Sequence, residues 1–150
     1  MNDYPQTTLT DSLYFRQMEL YVELQHHRGH PYIGEYLDEV TGYWLKGDQE
    51  RSRYYNHSTF NDLIITGLIG LRPRMDNTIE VNPLLPTGQW KWVCLDKGLY
   101  HGHILSIVWD EDGDRYHIGK GFHLLVDGKK VAHAPSLQRL VVDALFCHPE

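Results

Sequence analysis

Cysteine is scarce: Cys94 and Cys147 are the two thiols in 150 residues. Two cannot build a disulfide framework, so each is read as a small apolar filler and a reducing, cytoplasmic location is expected. Blocks of Lys or Arg are missing as well, and the formal net charge is −6. That excludes the electrostatic footprint of a nucleic-acid-binding chain. The longest apolar run, residues 63–71, is interrupted by Thr66. It falls short of the about 20 residues a membrane helix needs, so no membrane association is expected. The opening Met1-Asn2-Asp3-Tyr4-Pro5-Gln6 has neither a basic start nor an apolar stretch, and no secretory signal is read in it. The sequon Asn56-His57-Ser58 then reads as chance.

Familiar catalytic motifs are equally sparse. No Gly-x-Ser-x-Gly elbow and no Cys/His protease signature occurs. Gly119-Lys120-Gly121 lacks the strand-to-helix setting of a phosphate loop. Asp110-Glu111-Asp112-Gly113-Asp114 resembles the start of a calcium loop, but Gly121 stands where the bidentate Glu belongs and strands flank it. A solvated hairpin turn is expected there. His101-Gly102-His103 would put two imidazoles on one strand face, and no second Cys or His pair completes a zinc set. His26 and His27 are adjacent and cannot face one metal from a helix. No metal and no cofactor is expected.

What the chain has is apolar and aromatic. Hydrophobic residues make up 41% of it, with ten Tyr and four Trp, enough for a folded domain with a real core. Residues 11–27 read as an amphipathic helix capped by Thr10 or Asp11, with Tyr14, Met18, Tyr21, Val22 and Gln25 at helical spacing. Arg16, Glu19 and Glu23 lie toward its wetter side, and His26-His27-Arg28-Gly29 reads as its stop. Residues 58–71 read as a short buried helix: Ser58 for the cap, Asp62 in the first turn, apolar side chains nearly all round, and Pro73 as a stop. Gly67 and Gly70 would let neighbours approach closely. This helix is the expected seam between an α part and a β part.

From residue 75 the period changes to two. Thr78 to Val81, the alternation Trp90, Trp92 and Cys94, and the run 99–109 with Leu105, Ile107 and Trp109 on one face read as strands. Phe122 to Val126 and Lys130 to Ala132 are joined through Asp127-Gly128, a hairpin signal. Leu137 to Val142 is either a last strand or a linker. About four to six antiparallel strands, forming one small sandwich, are expected.

Between helix and strands lies an unusual segment, residues 28–57. It is rich in Gly yet holds Tyr32, Ile33, Tyr36, Leu37, Tyr43, Trp44 and Leu45, interleaved with Glu35, Asp38, Glu39, Asp48 and Glu50. A loop this long is uncommon in a compact domain unless functional. Rings beside carboxylates suit a polar-substrate pocket with sugar-stacking walls; they equally suit a surface loop packed down by its own aromatics.

The text Gly34-Glu35-Tyr36-Leu37-Asp38-Glu39-Val40-Thr41-Gly42, followed by Tyr54-Tyr55-Asn56-His57-Ser58-Thr59-Phe60, resembles the closing part of six-hairpin, (α/α)6-barrel glycoside hydrolases. That group includes trehalases, processing α-glucosidase I and mannosylglycerate hydrolase-like enzymes, the last being the nearest in type. Gly67-Leu68-Ile69-Gly70-Leu71-Arg72-Pro73-Arg74 and Ile79-Glu80-Val81-Asn82-Pro83-Leu84 extend the resemblance to about residues 30–130. It implies that Glu35 corresponds to the general base of an inverting hydrolase, with Asp38 and Glu39 as fallback carboxylates. Such chemistry pairs a base that activates water with an acid that protonates the leaving oxygen, roughly 6.5–9.5 Å apart. In these enzymes the acid is an Asp earlier in the barrel. Tyr32, Tyr36 and Trp44 would contact sugar, Asn56 and His57 would orient water or substrate, and a pocket lined by rings would let the Glu35 pKa rise.

The resulting expectation is an α+β fold: the terminal helical hairpin of an incomplete (α/α) barrel over residues 1–74, a small antiparallel β-sandwich over 75–143, and a tail over 144–150. A chain of 150 residues cannot close a six-hairpin barrel. It is therefore expected to be inactive without the rest, and to associate with that remainder or with itself through an uncovered helix face. The rival expectation is a stand-alone carbohydrate-binding or structural β module, with Trp90, Trp92, Trp109 and His101 or His103 as contacts.

Overall fold

The structure is a computed structural model; it describes residues 8–45, 49–55 and 59–143. The chain divides into two compact units, Met1–Thr59 and Phe60–Glu150.

In the first unit, helix α1 spans Asp11–Leu24. The Thr10 hydroxyl caps it by accepting from the Leu13 N–H at 3.2 Å, and Asp11 puts negative charge in the first turn. Its buried side chains are Phe15 and Met18, while Val22, expected in the apolar stripe, is half exposed. Arg16 bridges to Glu19 and Glu23 on the wet side, as expected. The helix ends earlier than its periodicity suggests. His26–His27 (β1) pairs antiparallel with His30–Pro31 (β2) around Arg28 and Gly29, both at positive φ. A glycine two places beyond the histidines lets a two-residue turn replace the last helical turn. The remaining regular element among the described residues of this unit is a 3-10 turn, Glu50–Ser52, so the helical part is slighter than a hairpin of two helices. Ser58, Asn56, His57 and the tail 144–150 with Cys147 lie outside the described residues.

The second unit opens on helix α2, Phe60–Leu63, which continues as a π turn over Ile64–Leu68 rather than as an α-helix. The Thr66 hydroxyl donates to the Asp62 carbonyl at 2.6 Å, inside the backbone ladder. The turn closes with Ile69 and Gly70 donating to Ile64 and Ile65. Gly67 and Leu68 are buried and Leu63 is exposed, so burial covers the end of this helix rather than all of it. Gly70 ends it at φ 87°, and a Cβ there would collide with the backbone of Asn82 and Pro83.

Among the described residues seven strands follow, in two antiparallel sheets. Leu71–Arg72 (β3), Thr78–Val81 (β4) and Leu140–Asp143 (β9) form the first, with β4 in the middle. Trp92–Tyr100 (β5), His103–Asp110 (β6), Gly121–Val126 (β7) and Lys129–Ala134 (β8) form the second, in sequence order. The fold is α+β with a small sandwich of antiparallel sheets. Its core is a grid fixed by register: Leu105 faces Val126, Ile107 faces Leu124, and Trp109 faces Phe122, all buried. Ile79 and Val81 of β4 are buried with them in this unit. Truncating Leu124, with no exposed surface, to Ala would cost about 2–5 kcal/mol.

Two sequence expectations fail here. Residues 99–109 are not one strand: β5 ends at Tyr100, and His101-Gly102, both at positive φ, turns the chain into β6. The two imidazoles accordingly do not share a strand face. His101 bonds the Arg74 carbonyl at 3.0 Å, and His103 bonds the Asp127 carboxylate at 2.7 Å. Nor is the Asp110 turn solvated throughout: Asp112 and Asp114 are exposed as expected, but Asp110 is not. Asp110 is 2% exposed, and its carboxylate accepts from the N–H groups of Gly113, Arg115 and Tyr116 at 2.8–3.0 Å. The Asp127-Gly128 hairpin forms as expected, with both residues at positive φ.

Candidate functional site

The segment carrying Glu35 is built on a buried aromatic pair. Tyr32 and Trp44 meet edge to face at 5.2 Å, and Tyr32 also touches His27 at 5.3 Å. The Trp44 Nε1–H donates to the His26 carbonyl at 2.8 Å. Both rings are nearly fully buried. Gly34 threads beside them: a Cβ added there would stand 2.5 Å from the Tyr32 ring and 2.8 Å from the Trp44 ring. Glycine at this position lets the chain pass over the rings and deliver Glu35 and Tyr36 to the surface, where both are exposed.

The far side of the segment is a closed turn. Leu37 pairs with Trp44 as an isolated bridge, Asp38 N–H donates to Tyr43, and Leu45 N–H donates to Tyr36. The Asp38 carboxylate accepts from the Val40 and Thr41 N–H groups at 3.1 and 2.7 Å and from the Thr41 hydroxyl at 2.8 Å. Gly42, at φ 69°, completes the reversal. These bonds hold the Asp38 pKa below the usual carboxylate value, the Thr41 N–H contributing most. Thr41-Gly42 is thus the chemistry of the turn, and Asp38 is committed to holding it.

Glu35 and Tyr36 interact. A hydrogen bond to the Glu35 carboxylate, reinforced by its charge, raises the Tyr36 pKa, while nearby Arg51 opposes the rise and Tyr55 adds to it. An exposed carboxylate, two phenols and a guanidinium are therefore gathered in this unit. Tyr32 and Trp44, expected as sugar contacts, lie beneath that surface. Asn56 and His57 fall outside the described residues. No group of three His, Cys, Asp or Glu side chains among the described residues stands close enough to hold a metal. No helix among them is long and apolar enough to cross a membrane.

In the second unit the rival contact residues separate. Trp109 is core, its Nε1–H donating to the Trp90 carbonyl at 3.0 Å, whereas Trp90 and Trp92 are exposed. Sequence reasoning missed the loop 111–120, which carries Arg115 and Tyr116 against Trp92. Its one legible signal was Asp110 three places before Gly113, the spacing at which a side-chain oxygen accepts a backbone N–H in a cap.

Residues 6–58 match the mannosylglycerate hydrolase MGH1-like glycoside hydrolase domain. Residues 71–133 match the C-terminal domain of glycosyl hydrolase family 65. A solved structure of a protein described as a sialidase superposes with a TM-score of 0.89 at 74% identity, over 94% of this chain and 13% of that one. The chain therefore spans a small part of that protein's length. Each unit matches a glycoside hydrolase family model, which bears out the resemblance read from its motifs.

Proposed function

We propose that this chain supplies the general-base side of an inverting glycosidase active site, with Glu35 activating the attacking water. The carrying observation is the delivery of Glu35 to the surface between the Gly34 passage and the Asp38–Thr41 turn, within the stretch that matches the MGH1-like domain. Rigid support on both sides is what a base needs, because proton abstraction depends on geometry before acidity. Tyr36, bonded to Glu35, and the neighbouring Tyr55 are the exposed rings suited to a sugar face. Tyr32 and Trp44 act from below, fixing the backbone that carries the base. Asn56 and His57 orient water or substrate. The general acid comes from a preceding barrel segment, so the substrate is a carbohydrate but turnover belongs to the larger assembly.

The test uses the complete enzyme. Glu35→Gln should lower kcat by about 10²–10⁴-fold with KM little changed, and NMR of the first product should show an inverted anomer. Near-normal turnover in Glu35→Gln removes Glu35 from the base role; a retained anomer removes the inverting mechanism.

A further inference from the structure

The β unit holds a second feature with the chemistry of sugar recognition, and it stands independently of Glu35. Residues 89–94 and the loop 111–120 enclose a depression of about 600 Å³, lined by Gln89, Trp90, Lys91, Trp92, Cys94 and Tyr116. That volume falls in the range of small-molecule sites. Trp90 is 39% exposed and Trp92 49% exposed. A sheet with Trp109 already in its core has no packing need for two more indoles at the surface. Beyond Cys94 and Tyr116, which border both, a second hollow of about 520 Å³ continues past Asp96, Lys97 and Ser106.

The walls are held in place. Arg115 lies 4.5 Å over the Trp92 ring and Tyr116 meets that ring edge-on at 6.3 Å. The loop presenting them is strapped at both ends. Asp110 takes the N–H groups of Gly113, Arg115 and Tyr116. Lys130, His123 and His133 bond the successive carbonyls of Ile118, Gly119 and Lys120 at 2.8–3.0 Å. A site fixed before its ligand arrives loses little entropy on binding.

We infer that this depression is a carbohydrate subsite that takes a short neutral oligosaccharide, one pyranose against Trp90 and Trp92 and the next toward Ser106. Amphipathic rings match the C–H face of a pyranose, while the Gln89 amide and Tyr116 hydroxyl suit its hydroxyls. The charges select a neutral ligand. Neither sign dominates: Lys91, bridged to Asp112 at 3.6 Å, Lys97 and Arg115 stand beside Asp96, Glu111 and Asp114, a balance that suits an uncharged ligand. The two adjacent hollows call for more than one ring.

The experiment titrates the 150-residue chain with maltotriose and cellotriose, with sorbitol as an acyclic control, following Trp fluorescence and the indole N–H signals. One trisaccharide should bind saturably with a Kd on the order of 1 mM, shifting the Trp90 and Trp92 indoles, and Trp92→Ala should weaken it by about tenfold or more. Gln89→Ala, at an exposed position that leaves the fold alone, should weaken it also. Absence of saturation with both sugars, an equal response to sorbitol, or full binding by Trp92→Ala and Gln89→Ala overturns the inference. Each of those results leaves the Glu35 test in the complete enzyme standing.

Discussion

Single side chains set the geometry of both units. Asp110 is the clearest case, because one buried carboxylate satisfies three backbone donors. Removing it leaves those donors without their acceptor, and hydrogen bonds to a charged group are worth more than neutral ones. Asp110→Ala should cost about 2–4 kcal/mol in chemical denaturation, and the amides of Gly113, Arg115 and Tyr116 should become the fastest exchanging in the β unit. Gly34 works by having no side chain. Gly34→Ala should destabilise the first unit by about 1–3 kcal/mol through overpacking against Tyr32 and Trp44, read as a lowered melting midpoint. The Asp127-Gly128 position was legible because its role is local, a two-residue hairpin. The burial of Asp110 was not legible. An acidic run looks the same in water and under a loop until the loop's N–H groups are known to converge on one member.

Elements depart from sequence expectation where side-chain chemistry competes with backbone periodicity. The apolar run 60–69 has the right pattern for an α-helix, yet it winds as a π turn with Thr66 bonded into its own ladder and stops at Gly70. Gly70→Ala should cost at least about 3 kcal/mol, since it adds left-handed strain to a backbone collision with Asn82 and Pro83. The β3–β4 connection is held differently. Arg74 bridges Asp76 and Glu80, and Glu80 is shared with Arg139, which precedes β9. The Arg74 bond holds the Asp76 carboxyl well below its ordinary value, and the Arg139 and Arg74 bonds lower Glu80. Asp127 is lowered too, by His103 first and then the Ile104 N–H. Folded values below unfolded ones mean stabilisation that is full above about pH 4–5. It is lost as the pH falls through the folded values. A melting series should therefore be level from neutral to about pH 5 and drop below about pH 4, with Arg139→Ala shrinking the drop. Asp76 and Asp127 are exposed and Glu80 partly so, and added salt should weaken the effect.

At the scale of the whole molecule, the first unit shows a surface that does not suit isolation. Leu13, Val22 and Leu24 on α1, and Val40, Tyr43, Leu45 and Tyr54 beyond it, are all exposed, Val40 to 86%. Apolar exposure of this extent marks an interaction surface. The chain spans 13% of the solved relative's length, and in the assembly proposed above a further segment would cover this surface. Sedimentation of the isolated chain should show mass rising with concentration, and Val22→Glu with Val40→Glu should return it toward the mass of a single chain.

The sequence by itself determined the change from helical to strand periodicity, the sandwich strands, the Asp127-Gly128 hairpin and the glycoside hydrolase likeness, because each is written in neighbours a few residues apart. Only the tertiary structure decided which aromatics are walls and which are core, and that Asp110 is buried. Those outcomes depend on which distant groups compete for the same space and the same hydrogen bonds, and spacing along the chain does not record that competition.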